Sequence, residues 1–134
     1  MVNYVPSAFL ISIPTTLSTW PAKWKIMEEF GTRIMSWGPF AEGRNGFFTN
    51  PLLAGIGGKY GKSVAQVALR WLIQRGVIII PKSTHIERMR QNIDIFDFSL
   101  SDEDMAVIAT LDTGRSLFFD HHDAETTRMF MGWK

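Results

Sequence analysis

The sequence predicts an α/β fold of consecutive βα units with parallel strands, on three observations. The segment "VIII" (77–80) is four consecutive apolar β-formers, apolar on both faces, the pattern of a parallel strand covered on each side. The stretch "KSVAQVALRWLIQRG" (62–76) has helical periodicity and is nonpolar around most of its circumference, as a helix packed against a sheet and neighbouring helices would be. The elements also alternate in the order helix, strand, loop, helix, strand, loop, helix.

Composition bounds what such a chain can be. Its 134 residues make one domain or part of one, and 46% hydrophobic content with five Trp describes a packed chain rather than a disordered one. A net charge of +1 gives no electrostatic case for nucleic acid. With no cysteine there is no disulfide and no thiolate metal site, and a reducing compartment fits. "AFLISIP" (8–14) is far shorter than the roughly 20 residues that span a bilayer, and it lacks a basic flank. The expectation is a soluble cytoplasmic protein with no membrane partner.

Residues 1–22 hold three of the six prolines and no charge, and they read as an irregular leader with a short strand at 8–13. "KWKIMEEFG" (23–31) reads as the last two turns of a helix closed by Gly31, and "TRIMSW" (32–37) as a strand. "GPFAEGRNGFFTN" (38–50), with three glycines and a proline, reads as a loop. A helix over 51–61 is weakened by Gly55, Gly57 and Gly58, each costing about 1 kcal/mol against Ala. The helix at 62–76 has Ser63 as N-cap and Gly76 as stop, with Gln66, Arg70 and Gln74 forming one narrow polar stripe. After strand 77–80 a helix is expected over about 85–93. Another over 101–112 opens with Ser101 and Asp104 in capping-box spacing, and the remainder is a tail of mixed polarity.

The chemistry concentrates where strand 77–80 ends. Lys82 and Ser83 follow it, and His85 to Arg88 open the next helix, whose free N–H groups and dipole favour an anion. Lysine supplies a point charge, and arginine a planar fork suited to two phosphate oxygens. Phosphate binding and solvated charges flanking a core strand are equally consistent with that spacing.

"IPKSTHIERMRQNIDIF" (80–96) resembles, position for position, the C-terminal signature of the aldo-keto reductases. "RIMSWGPFAEG" (33–43) is similar to the seventh-strand segment of bacterial diketogluconate-reductase-like members, and "GKSVAQVALRWLIQRG" and "SLSDEDMAVIATLD" match in order and spacing. The resemblance runs from about residue 23 to the end. It implies the C-terminal portion of a (β/α)8 TIM barrel, about strands seven and eight with flanking helices. Residues 23–134 would be the NADP(H)-binding part, and 134 residues are too few for a complete barrel. It also implies that Lys82, Ser83 and Arg88 hold the 2′-phosphate of NADP(H), and that Gln91 and Asn92 hydrogen-bond the adenine. Glu is commoner than Gln at position 91. Trp37 falls where an aromatic ring stacks on the nicotinamide, although a core Trp at a strand end is the plain alternative. Gly38, Phe40 and the loop Glu42 to Gly46 would follow the pyrophosphate.

The family's reaction is hydride transfer to a small carbonyl substrate, with a Tyr acid tuned by a Lys–Asp pair and a His that orients the substrate. Neither Tyr4 nor Tyr60 matches the acid position, and His85, His121 and His122 do not match the catalytic His. No catalytic residue is therefore expected in this chain, which is expected to be inactive by itself. "FFDHHD" (118–123) reads as a solvent-facing tail rather than a metal site, and the resemblance implies that the tail folds over the barrel mouth, with Phe118, Phe119 and Trp133 available to line the substrate pocket. The alternatives are a non-catalytic nucleotide-binding or assembly fragment that pairs with another polypeptide, and a phosphate-site fragment of a different barrel enzyme. The signature disfavours the latter. A cut ring would leave sheet edges open to self-association.

Overall fold

The structure, a computed structural model, describes residues 25, 29–31, 33, 35–36, 38–40, 43, 46–111 and 124–132. The leader 1–22 with its expected strand, Trp37, and the tail residues Phe118, Phe119, His121, His122 and Trp133 lie outside the described residues. Lys25 and Glu29 are helical, and Gly31 follows at φ 63°, the left-handed geometry expected of a helix-closing glycine.

Two strands, β1 (Met35–Ser36) and β2 (Ile78–Ile79), pair in parallel with Met35 opposite Ile78 and Ser36 opposite Ile79. Each is shorter than the sequence implies. Arg33 is not in the ladder, and Pro81, which has no N–H, limits it beyond Ile79. The expected cover on both faces is also absent among the described residues. Val77 is buried, whereas Ile78 is 43% exposed and Ile80 57%. Side chains alternate along a strand, so Ile78 and Ile80 mark one open face.

Helix α1 (Pro51–Tyr60) is better made than its three interior glycines suggest. The Asn50 side chain accepts from the N–H groups of Leu52 and Leu53 at 3.0 and 3.1 Å, and proline sits at the first helical position. Gly57 is required by packing. A Cβ there would run into the Lys62 carbonyl oxygen, because the chain doubles back over this turn.

Helix α2 (Val64–Gln74) is the central element. Its start is a full capping box. The Ser63 hydroxyl accepts from the Gln66 N–H, and the Gln66 side chain accepts from the Ser63 N–H. Val67, Leu69, Trp71 and Leu72 are buried, and Trp71 Nε1 donates to the Met105 carbonyl at 3.1 Å. The α2 core continues through Leu53, Ile56, Val77, Leu100 and Ile108. Burying such side chains contributes roughly 1.5–3 kcal/mol each, which makes α2 the hub of the fold.

Helices α3 (Ile86–Ile93) and α4 (Asp102–Ala109) follow β2. Only half of the expected box opens α4. The Ser101 hydroxyl accepts from the Asp104 N–H at 3.1 Å, but the Asp104 carboxylate turns away to Lys59 (2.6 Å) and the Tyr60 hydroxyl (2.7 Å). The Ser101 N–H donates instead to the Tyr60 hydroxyl at 3.1 Å, and a buried carboxylate gains more from a cation and a phenol than from one backbone N–H. In the stretch read as a tail, residues Ala124–Met131 form a further helix, α5. No helix among the described residues is long and apolar enough to cross a membrane.

Two outcomes test this packing. Gly57→Ala should destabilise the chain by about 1–3 kcal/mol through overpacking, whereas Gly55→Ala and Gly58→Ala, which meet nothing within 4 Å, should stabilise it. Denaturant melts of the three variants decide. The second outcome is an acid limb. Lys59 first, then Tyr60, hold the Asp104 carboxyl below its ordinary 3.8 against the opposing effect of burial. A depressed folded-state pKa gives stability that is present above the unfolded value and lost as pH falls through the folded one. Stability should therefore decline below about pH 4, and Asp104→Asn should flatten that decline.

Candidate functional site

Beyond β2 the chain runs through Pro81, Lys82 and Ser83 and bends at Thr84–His85 before α3 begins. The bend is set locally. Ser83 Oγ accepts from the His85 N–H at 3.1 Å, and His85, the N-cap of α3, makes no side-chain cap of its own. A cavity of about 590 Å³ opens here. It is lined by Phe40 and Phe48, by Ser63 to Ala65 at the start of α2, and by Lys82, Ser83, Thr84, His85, Arg88, Gln91 and Asn92. Arg88 lies in the first turn of α3 and Gln91 one turn on, so helical spacing brings residues with different chemistry to one cavity.

The charges around this cavity differ from those that tie the helices together. Lys59 pairs with Asp104, and Lys62 pairs with Asp94 at 2.9 Å and Asp97 at 2.8 Å. Arg70 donates to the Ile95 carbonyl and the Ser99 hydroxyl, and Arg75 lies over the Trp71 ring. The Lys62 ammonium is held above its ordinary pKa, chiefly by Asp97 and then by Asp94. Lys82 and Arg88, by contrast, have no ion pair or side-chain hydrogen bond among the described residues. Two cations without counter-charges, facing a shared cavity with two side-chain amides, make a site for an anion joined to a hydrogen-bonding group.

The polar stripe of α2 holds this arrangement in place. Gln66 Nε2 donates to the Asp94 carbonyl at 2.8 Å, and Arg70 Nη1 to the Ile95 carbonyl at 3.2 Å. Gln74 both donates to the Leu100 carbonyl at 3.0 Å and accepts from the Leu100 N–H at 2.7 Å. Segment 94–100 belongs to neither a strand nor a helix, so these side chains satisfy backbone groups that secondary structure would otherwise pair.

Of the residues expected to hold a cofactor, Phe40, Lys82, Ser83, Arg88, Gln91 and Asn92 meet at the cavity. Gly38, at φ 63° after β1, is not on its wall, and Trp37 lies outside the described residues. In the loop, Gly43 and Gly46 take positive φ, and the Phe40 carbonyl accepts from the Gly43 N–H. The sequence reading missed Ser63 to Ala65, Thr84 and Phe48, whereas it placed His85 at the anion-favouring helix start, and His85 lines the cavity. The first group was legible as the anion-favouring start of a capped helix. Phe48 carries no local signal. Its place comes from contacts with the rings of Phe40 (5.6 Å) and Phe47 (5.2 Å). Tyr60 serves the fold rather than the cavity, donating to Asp104 and accepting from the Ser101 N–H.

The model of the Aldo/keto reductase family matches residues 24–113. An aldo-keto reductase of Mycolicibacterium smegmatis is 43% identical over 89 residues, 66% of this chain and 32% of the relative. Methylglyoxal reductase DkgA of Escherichia coli is 38% identical over 101 residues, 75% of this chain and 34% of the relative. Among solved structures, a Bombyx mori aldo-keto reductase in complex with NADP superposes with TM-score 0.71 at 33% identity, over 86% of this chain and 39% of that one. The chain thus spans about a third of the length of the relatives it matches. The structural neighbours are TIM barrels, of which this chain forms a partial α/β piece.

The α2 stripe makes its own prediction. Gln74→Leu would leave the Leu100 N–H and carbonyl without their partner, at a cost of about 1–3 kcal/mol for each unsatisfied group. Hydrogen exchange at the Leu100 amide should accelerate accordingly, while the start of α2 stays protected.

Proposed function

The chain belongs to the aldo/keto reductase family, and on that premise we propose that it is the NADP(H)-binding C-terminal part of a reductase of small carbonyl compounds. One observation carries this reading. Lys82 and Arg88, unpaired among the described residues, face the same cavity as Ser83, Gln91 and Asn92. A 2′-phosphate joined to an adenosine presents both a dianion and an amine-bearing ring, which matches two cations beside two amides. Family neighbours solved with NADPH or NADP support the choice of cofactor.

In this reading Lys82 places a point charge at the phosphate and Arg88 offers its planar fork. Ser83 contributes a hydroxyl whose position is set by the His85 N–H. Gln91 and Asn92 orient the adenine. Gly38 and Phe40, with the loop Glu42 to Gly46, follow the pyrophosphate, and Trp37 stacks on the nicotinamide. The chemistry the cofactor supplies when bound is hydride transfer to a carbonyl carbon. Among the described residues no tyrosine lines the cavity to donate the accompanying proton.

The open face of β2 favours a second reading, in which this chain associates with another polypeptide. Ile78, Ile80, Ile93 (72% exposed) and Phe96 (68%) leave apolar surface in water. Self-association is the proposed consequence, and sedimentation velocity over a range of concentrations should show it. A strict monomer at all of them would overturn it.

Binding titrations test the main proposal. NADPH should bind more tightly than NADH, and Arg88→Ala should erase most of that preference. One charge-assisted contact is worth about 1.5–3 kcal/mol, roughly tenfold to a hundredfold in affinity. Equal affinities in the unmutated chain would sink the assignment. In the same samples, NADPH absorbance should not fall above background when small aldehydes and keto acids are added. Turnover that survives Tyr4→Phe and Tyr60→Phe would show that the proton comes from elsewhere.

A further inference from the structure

Helix α3 carries Arg88, Gln91 and Asn92 to the cavity, yet none of its residues is buried. A helix that supplies half of a binding site without anchoring itself in the core must be held from its ends. At the first end it is tied to β2 by the short segment 81–85, where Ser83 Oγ accepts from the His85 N–H. At the last end, the residue after Ile93 is Asp94, and Asp94 is gripped twice. Its carbonyl accepts from Gln66 Nε2 (2.8 Å) and from Lys62 Nζ (3.3 Å), and its carboxylate accepts from Lys62 Nζ (2.9 Å) and Gln66 Nε2 (3.2 Å). Lys62 also holds Asp97 at 2.8 Å, and only 9% of its side chain is exposed.

Lys62 and Gln66 bracket Ser63, Val64 and Ala65, which themselves line the cavity. The knot therefore joins the start of α2 to the end of α3, two elements that both contribute wall residues. Resting on the cofactor reading above, we propose that Lys62, through Asp94 and with Gln66, is a positioning residue for adenine recognition. It fixes Gln91 and Asn92 relative to Ser63–Ala65 without touching the ligand. Arg88 sits a turn nearer the Ser83–His85 anchor, so releasing Asp94 swings Gln91 and Asn92 further than it swings Arg88. The adenine end of the site depends on the knot, and the phosphate end depends on segment 81–85.

The test separates these two ends. Affinities of NADPH, NADH and the deamino (hypoxanthine) analogue of NADPH are measured by titration with the full chain, its Lys62→Met and Lys62→Arg variants, and Gln66→Leu, alongside thermal melts. Lys62→Met and Gln66→Leu should weaken NADPH binding by about tenfold to a hundredfold, as loss of a supporting partner behind a ligand-binding residue does. They should also collapse the preference for NADPH over its deamino analogue while retaining the preference over NADH. Lys62→Arg, which keeps the charge, should restore both. A role confined to stability would lower the melting temperature and leave the adenine preference unchanged, and that result overturns the proposal while the cofactor reading stands. If Lys62→Met does not fold, the same comparison on Gln66→Leu and on Asp94→Asn decides. No preference of the unmutated chain for NADPH over NADH overturns the cofactor reading, and the positioning role falls with it.

Discussion

The arrangement depends on the row of side-chain-to-backbone hydrogen bonds from one stripe of α2. Gln66, Arg70 and Gln74 stand four residues apart, one above the other on the helix surface, and all three reach the chain between Asp94 and Leu100. That chain crosses the α2 surface without a strand to pair with, so its carbonyls would be orphaned where they leave water. Holding it there delivers Ile95 and Leu100 to the core and places α4 so that Trp71 can bond the Met105 carbonyl. A stripe that resembles a solvated helix face is thus the seam along which the second half of the fold is attached. The apolar remainder of α2 supplies burial, which is nondirectional, and the stripe supplies direction.

The charges divide into two groups on the same physical ground. Asp104 is 2% exposed, and Lys59 and then Tyr60 hold its carboxyl below its ordinary pKa against the opposing effect of burial, so its partners are supplied within the fold. Lys62, nearly buried, holds two aspartates at once. Lys82 and Arg88 are exposed to solvent, where an unpaired cation costs little until a ligand arrives. The ion pairs that tie the helices together are made within the fold, and the two cations at the cavity stay where water can solvate them.

The same logic explains the incomplete cover of the sheet. A two-stranded parallel ladder has no free-standing precedent in stability terms, since parallel strands are normally buried on both faces. Here α2 shields one face, and Val77 is buried with it, while Ile78 and Ile80 stay open. In the barrels that this chain matches it accounts for about a third of the length. An open apolar face on β2 is what a partial βα assembly of that kind leaves.

Much of this was legible in the residues themselves. Helical periods, Ser63 with Gln66, Gly31 and Gly76 located the helices and their ends, because caps and left-handed glycines act over a few residues. The order Lys82, Ser83, then Arg88, Gln91 and Asn92 pointed to one place where a strand hands over to a helix, and those residues do line one cavity, since strand ends and helix starts are local features. Tertiary structure decided what those signals did not contain. Asp104 serves Lys59 and Tyr60 instead of a capping box, because partners 44 and 45 residues away outbid the local N–H. Phe48 and Ser63–Ala65 join the cavity wall, and the polar stripe of α2 turns inward, because contacts between elements distant in sequence depend on where packing brings them. Local pattern determined which elements form and where each ends. Only packing decided which of their faces meet, because burial and hydrogen-bond satisfaction are settled between elements and not within them.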